Sequence, residues 1–161
     1  MNIFMLHSVP AIAASYHCDK HVGKMLIESC QLLATAHHLN GNGHAVSYKP
    51  THANHPCAIW TRASQHHYLF VVELAHWLGF EFQNRYGKRH KCSDILVSEL
   101  FKPPAALVLN PTGWSTPPLA MPDAFKSEDH ISSYRAYYRS KRDTMVMTYY
   151  RGQRTPPEFM L

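Results

Sequence analysis

Residues 19–38 read DKHVGKMLIESCQLLATAHH, and the placement of their apolar positions decides the fold. At about 100° per residue, Val22, Met25, Leu26, Ser29, Leu32, Leu33 and Ala36 share one arc of a helical wheel. His21, Lys24, Glu28, Gln31 and Thr35 fall on the adjacent arc, within about 80° of one another. One helix therefore offers a side to pack and a side for chemistry. Asp19 opens it, and Asn40-Gly41-Asn42-Gly43 stops it just beyond His38 with a flexible loop.

Upstream, Ser8 and Pro10 signal a short entry helix carrying Ile12 and Ala13. Downstream, Asn54 before Pro56 starts a second long helix that the pattern carries to Tyr86, with Gly79 as a place for a kink. Gly87 ends it, and Lys88-Arg89-His90-Lys91 suits the negative end of its dipole. Ser93 begins a short helix through Phe101, closed by Pro103-Pro104. From Pro103 to Pro122, proline-rich and aperiodic sequence reads as an extended surface segment. Ser127 or Glu128 opens a last helix through Ile131, Tyr134 and Tyr138, and Gly152 and Pro156-Pro157 mark the tail. The expectation is an all-α single domain, residues 1–161, built around two long helices with apolar facing sides.

Composition agrees with a packed domain: 45% of the 161 residues are hydrophobic and only 17% charged, which excludes a disordered chain. The net charge of +5, with thirteen histidines that add more in acid, favours an anionic partner. Residues 126–154 carry seven Lys and Arg against three acids, with Tyr134, Tyr137, Tyr138, Tyr149 and Tyr150 interleaved. That pattern suits phosphate contact with base stacking and equally a solvated face with some tyrosines turned inward. The start of the chain lacks a basic leader before its apolar residues, and its longest apolar run, Tyr68 to Leu78, is too short for a bilayer, so a cytoplasmic protein is expected. Cys18, Cys30, Cys57 and Cys92 are scattered, which points to free thiols.

Glu28, one turn after Lys24, is the best candidate for a proton acceptor, with an ordinary surface i,i+4 pair as the plainer account. Asn54-His55-Pro56 can offer a phosphate free backbone N–H groups and an imidazole, or simply cap a helix. His52, His55 and Cys57, or Cys18 with His21, have zinc-ligand chemistry without zinc-site spacing, so no metal is assigned. Tyr68, Phe70, Trp77, Phe80 and Phe82 read as core rather than as a stacking platform.

The segment from Asp19 to Glu28 resembles the first helical motif of the pyrimidine-dimer DNA glycosylases, the phage endonuclease V type and its bacterial relatives. Asn54-His55-Pro56 followed by Trp60 is similar to that family's second motif, and Tyr134-Arg135-Ala136-Tyr137-Tyr138-Arg139 is similar in character to its C-terminal segment. The resemblance spans about residues 1–86 in order and leaves the proline-rich segment unassigned.

What the resemblance implies is a DNA glycosylase with AP-lyase activity on damaged or modified pyrimidines, acting as a monomer on double-stranded DNA without a cofactor. It makes Glu28 the catalytic carboxylate, places His21 beside it, and sets Lys20, Lys24, Gln31, Asn54 and His55 against the sugar-phosphate backbone. Arg135, Tyr138, Arg139 and Arg142 complete the implied DNA surface. The family's nucleophile is an N-terminal α-amine, a class of amine that is partly neutral near pH 7 where lysines are not. Asn2 is too bulky to favour removal of Met1, so the amine is that of Met1, or Lys20 or Lys24 replaces it, or the lyase chemistry is lost. A DNA-binding module without catalysis and a metal-dependent nucleic-acid enzyme are the alternative functions.

Overall fold

The computed structural model describes residues 1–109 and 113–161 and is all-helical, with no strand among the described residues. Pro10–Ser15 forms α1, opened by Pro at its first position, and Asp19–Leu39 forms α2. All seven residues of the expected packing arc of α2 are buried. On the polar arc, His21 and Thr35 are buried as well, and Thr35 Oγ1 donates to Thr51 O at 3.1 Å.

The second long helix is two helices. Pro56–Thr61 is α3 and Gln65–Tyr86 is α4, and the Ser64 side chain restarts the helix by accepting from the His66 N–H. The cap of α3 is His55, whose Nδ1 accepts from the Cys57 N–H at 3.1 Å, while Asn54 is exposed. Gly79 does not interrupt α4; a Cβ there would lie 2.6 Å from Ser93 Oγ, so its absence is what lets α4 approach the next helix. Gly87 ends α4 in the left-handed region at φ +65°.

α5, Lys91–Ile95, is capped by His90 and runs into a π-type turn, Leu96–Leu100, so this element starts earlier than Ser93. The proline-rich segment is not extended throughout. It contains α6, Ala105–Leu109, and it buries Leu107 and Met121; residues 110–112 lie outside the described residues. The last helix, α7, is His130–Ser140, capped by Asp129 rather than Ser127 or Glu128, and it ends well before Gly152. Tyr149 and Tyr150 lie beyond it in the tail.

α2 and α4 lie against each other, with Leu26, Leu33, Leu74 and Leu78 among the buried core, and α1 rests on α4. The first six residues are drawn inside, with Ile3, Phe4, Met5 and Leu6 buried. Tyr68 and Phe70 belong to the core as expected, whereas Phe80 is exposed. The four cysteines are buried thiols. Among the described residues no helix is long and apolar enough to cross a membrane.

One charged network fastens the far end of this core. The Arg85 guanidinium, fully buried, donates to Glu81 Oε2 at 3.0 Å, Asp19 Oδ1 at 3.2 Å, His17 O at 2.7 Å and Ser15 O at 2.9 Å. Arg154 of the tail closes on the other side of Glu81. The Asp19 N–H donates to Thr148 O at 2.8 Å, so α2 begins where the tail is tied down.

Candidate functional site

A pocket of about 490 Å³ opens at the other side of α2, between the N-terminal residues and α7. Glu28 and Lys24 come from α2, as the sequence expects. His21, one turn earlier, lines the same pocket, and His55 enters from the start of α3. Asn2 and Phe4 line it from a place that the helical pattern did not indicate, and Tyr137 and Lys141 reach it from the basic, tyrosine-bearing stretch near the C-terminus.

Glu28 is held from three sides. The Asn2 N–H donates to its Oε2 at 2.9 Å, the Met1 amino nitrogen lies 3.8 Å from that oxygen, and Lys24 Nζ lies 3.8 Å from Oε1. Only the first is a hydrogen-bond distance; the two cations stand off by about a further ångström. The Glu28 side chain keeps 15% of its exposure, so the carboxylate is reachable from the pocket. Met1 has its side chain buried while the residue as a whole is half-buried, which leaves its main chain as the accessible part.

Asn2 sets this geometry. Its Oδ1 accepts from the Phe4 N–H and its Nδ2 donates to Ala120 O, both at 2.9 Å, while its own N–H is spent on Glu28. The chain then turns sharply at Phe4, whose φ of +47° is an uncommon conformation for a bulky residue. This turn lays the Phe4 ring between His21 and Tyr137, with ring centres 5.9 and 5.8 Å away and planes inclined by only 21° and 23°. No local signal announces such a turn at Phe4.

His21 is buried and its Nδ1 lies 3.0 Å from the Tyr138 hydroxyl. Burial and then the charges of Lys24, Lys141 and Lys20 push its pKa down to about 4, so the ring is neutral near pH 7. His55 is also held below its ordinary value, chiefly by burial and then by the Met1 amine and His52, with Glu28 opposing. Lys141 Nζ donates to the Tyr137 hydroxyl at 2.7 Å. The pocket thus sets one carboxylate among an α-amine, two lysines and two histidines.

The remaining expected contacts are dispersed. Lys20 is exposed and Gln31 half-buried, and neither lines the pocket. Arg135 is used internally: its Nε donates to Leu6 O at 2.8 Å, and its guanidinium lies over the Tyr16 and Phe159 rings. Tyr138 is fully buried and presents no ring face to a nucleic acid, which corrects its placement on a DNA surface. Arg139 and Arg142 are exposed. The signal that separates these residues is the helical spacing of α7. Ile131, Tyr134 and Tyr138 repeat at three and four residues and pack inward, while Tyr137 and Lys141 share the next face and reach the pocket.

Of the zinc-type combinations, Cys57 is buried with its N–H on His55, and among the described residues no three His, Cys, Asp or Glu side chains are grouped to hold a metal. No family model, curated protein or solved structure matches this chain.

Proposed function

We propose that this protein is a DNA glycosylase with AP-lyase activity, working on damaged or modified pyrimidines in double-stranded DNA. The observation that carries the reading is the placement of an α-amine and a carboxylate 3.8 Å apart at the mouth of a cationic pocket. An amine so placed can attack the sugar C1′, the C1′–base bond breaks, and the base leaves with a proton. Opening of the C1′–O4′ bond, with a proton taken up by O4′, gives an imine to the α-amine. Glu28 then removes the C2′ proton, and the C3′–oxygen bond breaks to release the phosphate end of the strand. Lys24 and Lys141 supply positive charge for the flanking phosphates, and the target nucleotide must leave the base stack to reach C1′.

Borohydride reduction in the presence of abasic-site duplex tests this directly. The expected result is a covalent adduct mapped by peptide sequencing to the Met1 amine, lost when that amine is blocked and retained in Lys24→Arg. An adduct that survives blocking moves the nucleophile to a lysine. A competing reading, a DNA-binding module of the same fold, draws on the same contacts: the Asn2 N–H donates to Glu28 and the Met1 amine lies near it, which can serve as a structural clasp. It predicts duplex binding with no adduct under any condition.

A further inference from the structure

The hydrogen bonds beneath the pocket bear on which ring nitrogen of His21 carries the proton. The Cys18 N–H, at the cap of α2, donates to the Tyr138 hydroxyl oxygen at 2.9 Å. An amide N–H can only donate, so the hydroxyl accepts there, and because Tyr138 is fully buried its own proton needs an acceptor among its remaining hydrogen-bond partners. His21 Nδ1 is such a partner at 3.0 Å. With Nδ1 accepting, the proton of the neutral ring sits on Nε2.

The ring is also held against rotation. Phe4 stacks on it with centres 5.9 Å apart, and Tyr138 meets it with centres 5.3 Å apart and planes inclined by 63°. Nε2 has no hydrogen-bond partner among the described residues, and it is not one of the buried polar atoms left without a partner, so it reaches the pocket that His21 lines. We propose that Tyr138 is a positioning residue that fixes His21 as a neutral Nε2–H donor aimed at a deoxyribose oxygen of DNA in the pocket. This rests on the glycosylase reading for the identity of the ligand, while the tautomer stands on the contacts alone.

A neutral donor suits this pocket better than an imidazolium. Lys24 and Lys141 already bring positive charge to it, and a further cation would repel them while adding no direction. The low pKa of His21, set first by burial and then by Lys24, Lys141 and Lys20, agrees with a ring that stays uncharged while it works. The fully buried position of Tyr138, which removes it from any DNA surface, is what a fixed internal donor requires.

Nitrogen-15 spectra of the full-length protein at pH 7 read the tautomer without any activity. The expected result is a pyridine-like Nδ1 and a pyrrole-like Nε2 for His21, with a tautomer mixture in Tyr138→Phe. A protonated Nδ1 in the parent protein, or an unchanged tautomer in Tyr138→Phe, overturns the assignment. Cleavage of abasic-site duplex reads the donor: Tyr138→Phe is expected to lower kcat about tenfold with KM unchanged, the scale of one oriented hydrogen bond. If Tyr138→Phe does not fold, His21→Gln and His21→Asn replace it. Gln carries its amide to the Nε2 position and Asn to the Nδ1 position, so Gln is expected to cleave about tenfold faster, again one hydrogen bond's worth. Equal rates remove the donor role. An intact parent protein that cleaves nothing defeats the glycosylase reading and the sugar contact together, while the spectra still decide the tautomer.

Discussion

The start and the middle of α2 hold carboxylates next to cations and use them in opposite ways. At its start, Asp19 meets Arg85, and Glu81 meets both Arg85 and Arg154, with every one of the three acceptor–donor contacts at hydrogen-bond distance and both acids almost without exposure. Halfway along, Glu28 has a single close donor, the Asn2 N–H, while its two cations remain at 3.8 Å and the carboxylate is open to the pocket. A saturated carboxylate is committed to structure, because any proton or ligand it took up would break a bond already made. An undersaturated one retains lone pairs for an incoming group. The difference separates residues that hold the fold from residues available for chemistry, although all are acids beside bases on one pair of helices.

The sharpest way to break this comparison is Glu28→Gln. It is expected to reduce strand cleavage roughly 10²- to 10⁴-fold, the range of a lost general base, with duplex affinity and melting temperature nearly unchanged. A variant that still cleaves at the parent rate in a quantitative abasic-site assay would assign the base elsewhere. In the network at the start of α2, Arg85→Ala is expected to cost about 3–5 kcal/mol in urea unfolding, because two buried acids lose their shared counter-charge. A loss below about 1 kcal/mol, the scale of an exposed pair, would put Arg85 in the same class as the loosely held cations around Glu28.

Acid sharpens the contrast in a different way. Burial, the neighbouring His21 and Arg85 lower His17 to about 3, with backbone carbonyls opposing, and His21 itself lies at about 4. Both folded values are below the ordinary 6.5, so the unfolded chain binds more protons and stability falls as pH drops from about 6.5 toward 4. The slope from each ring approaches about 1.4 kcal/mol per pH unit. Unfolding free energies measured across this window should flatten by about one proton in His17→Asn; an unchanged slope would locate the uptake on other groups. The smallest effect belongs to the exposed Arg139 and Arg142. Replacing both by Gln is expected to weaken binding to all duplex sequences alike and to reduce the salt slope by about one unit per lost phosphate contact. An unaltered slope in fluorescence titrations would place the DNA on another face.

The central helix and its two arcs were legible because burial along a helix follows a period that the residues print directly. Glu28 and Lys24 followed from that period, and the apolar arc was buried without exception. The break before α4 was hidden because Thr61-Arg62-Ala63-Ser64 lacks proline and glycine, and only the Ser64 side chain in place reveals a new helix start. Part of the pocket was illegible for another reason. Asn2 and Phe4 join Glu28 across a long stretch of chain, through a backbone turn at Phe4 and a carbonyl at Ala120 that no local pattern encodes, whereas Tyr137 and Lys141 follow the spacing of α7. Tyr138 was misread as surface because a tyrosine among arginines resembles a stacking group, although its spacing from Tyr134 already placed it on the inner face.

The tail that reaches Glu81 bears on how the chain is made. Glu81 waits for Arg154, and the first amide of α2 waits for the carbonyl of Thr148, so partners separated by 73 and by more than 120 positions must meet before this network is complete. A chain emerging from the ribosome presents α2 and α4 long before these partners exist. Until then the two helices can associate through their buried apolar faces, with Arg85 alone balancing both acids. The partners that complete this network thereby become available only late in synthesis, after both helices that they fasten.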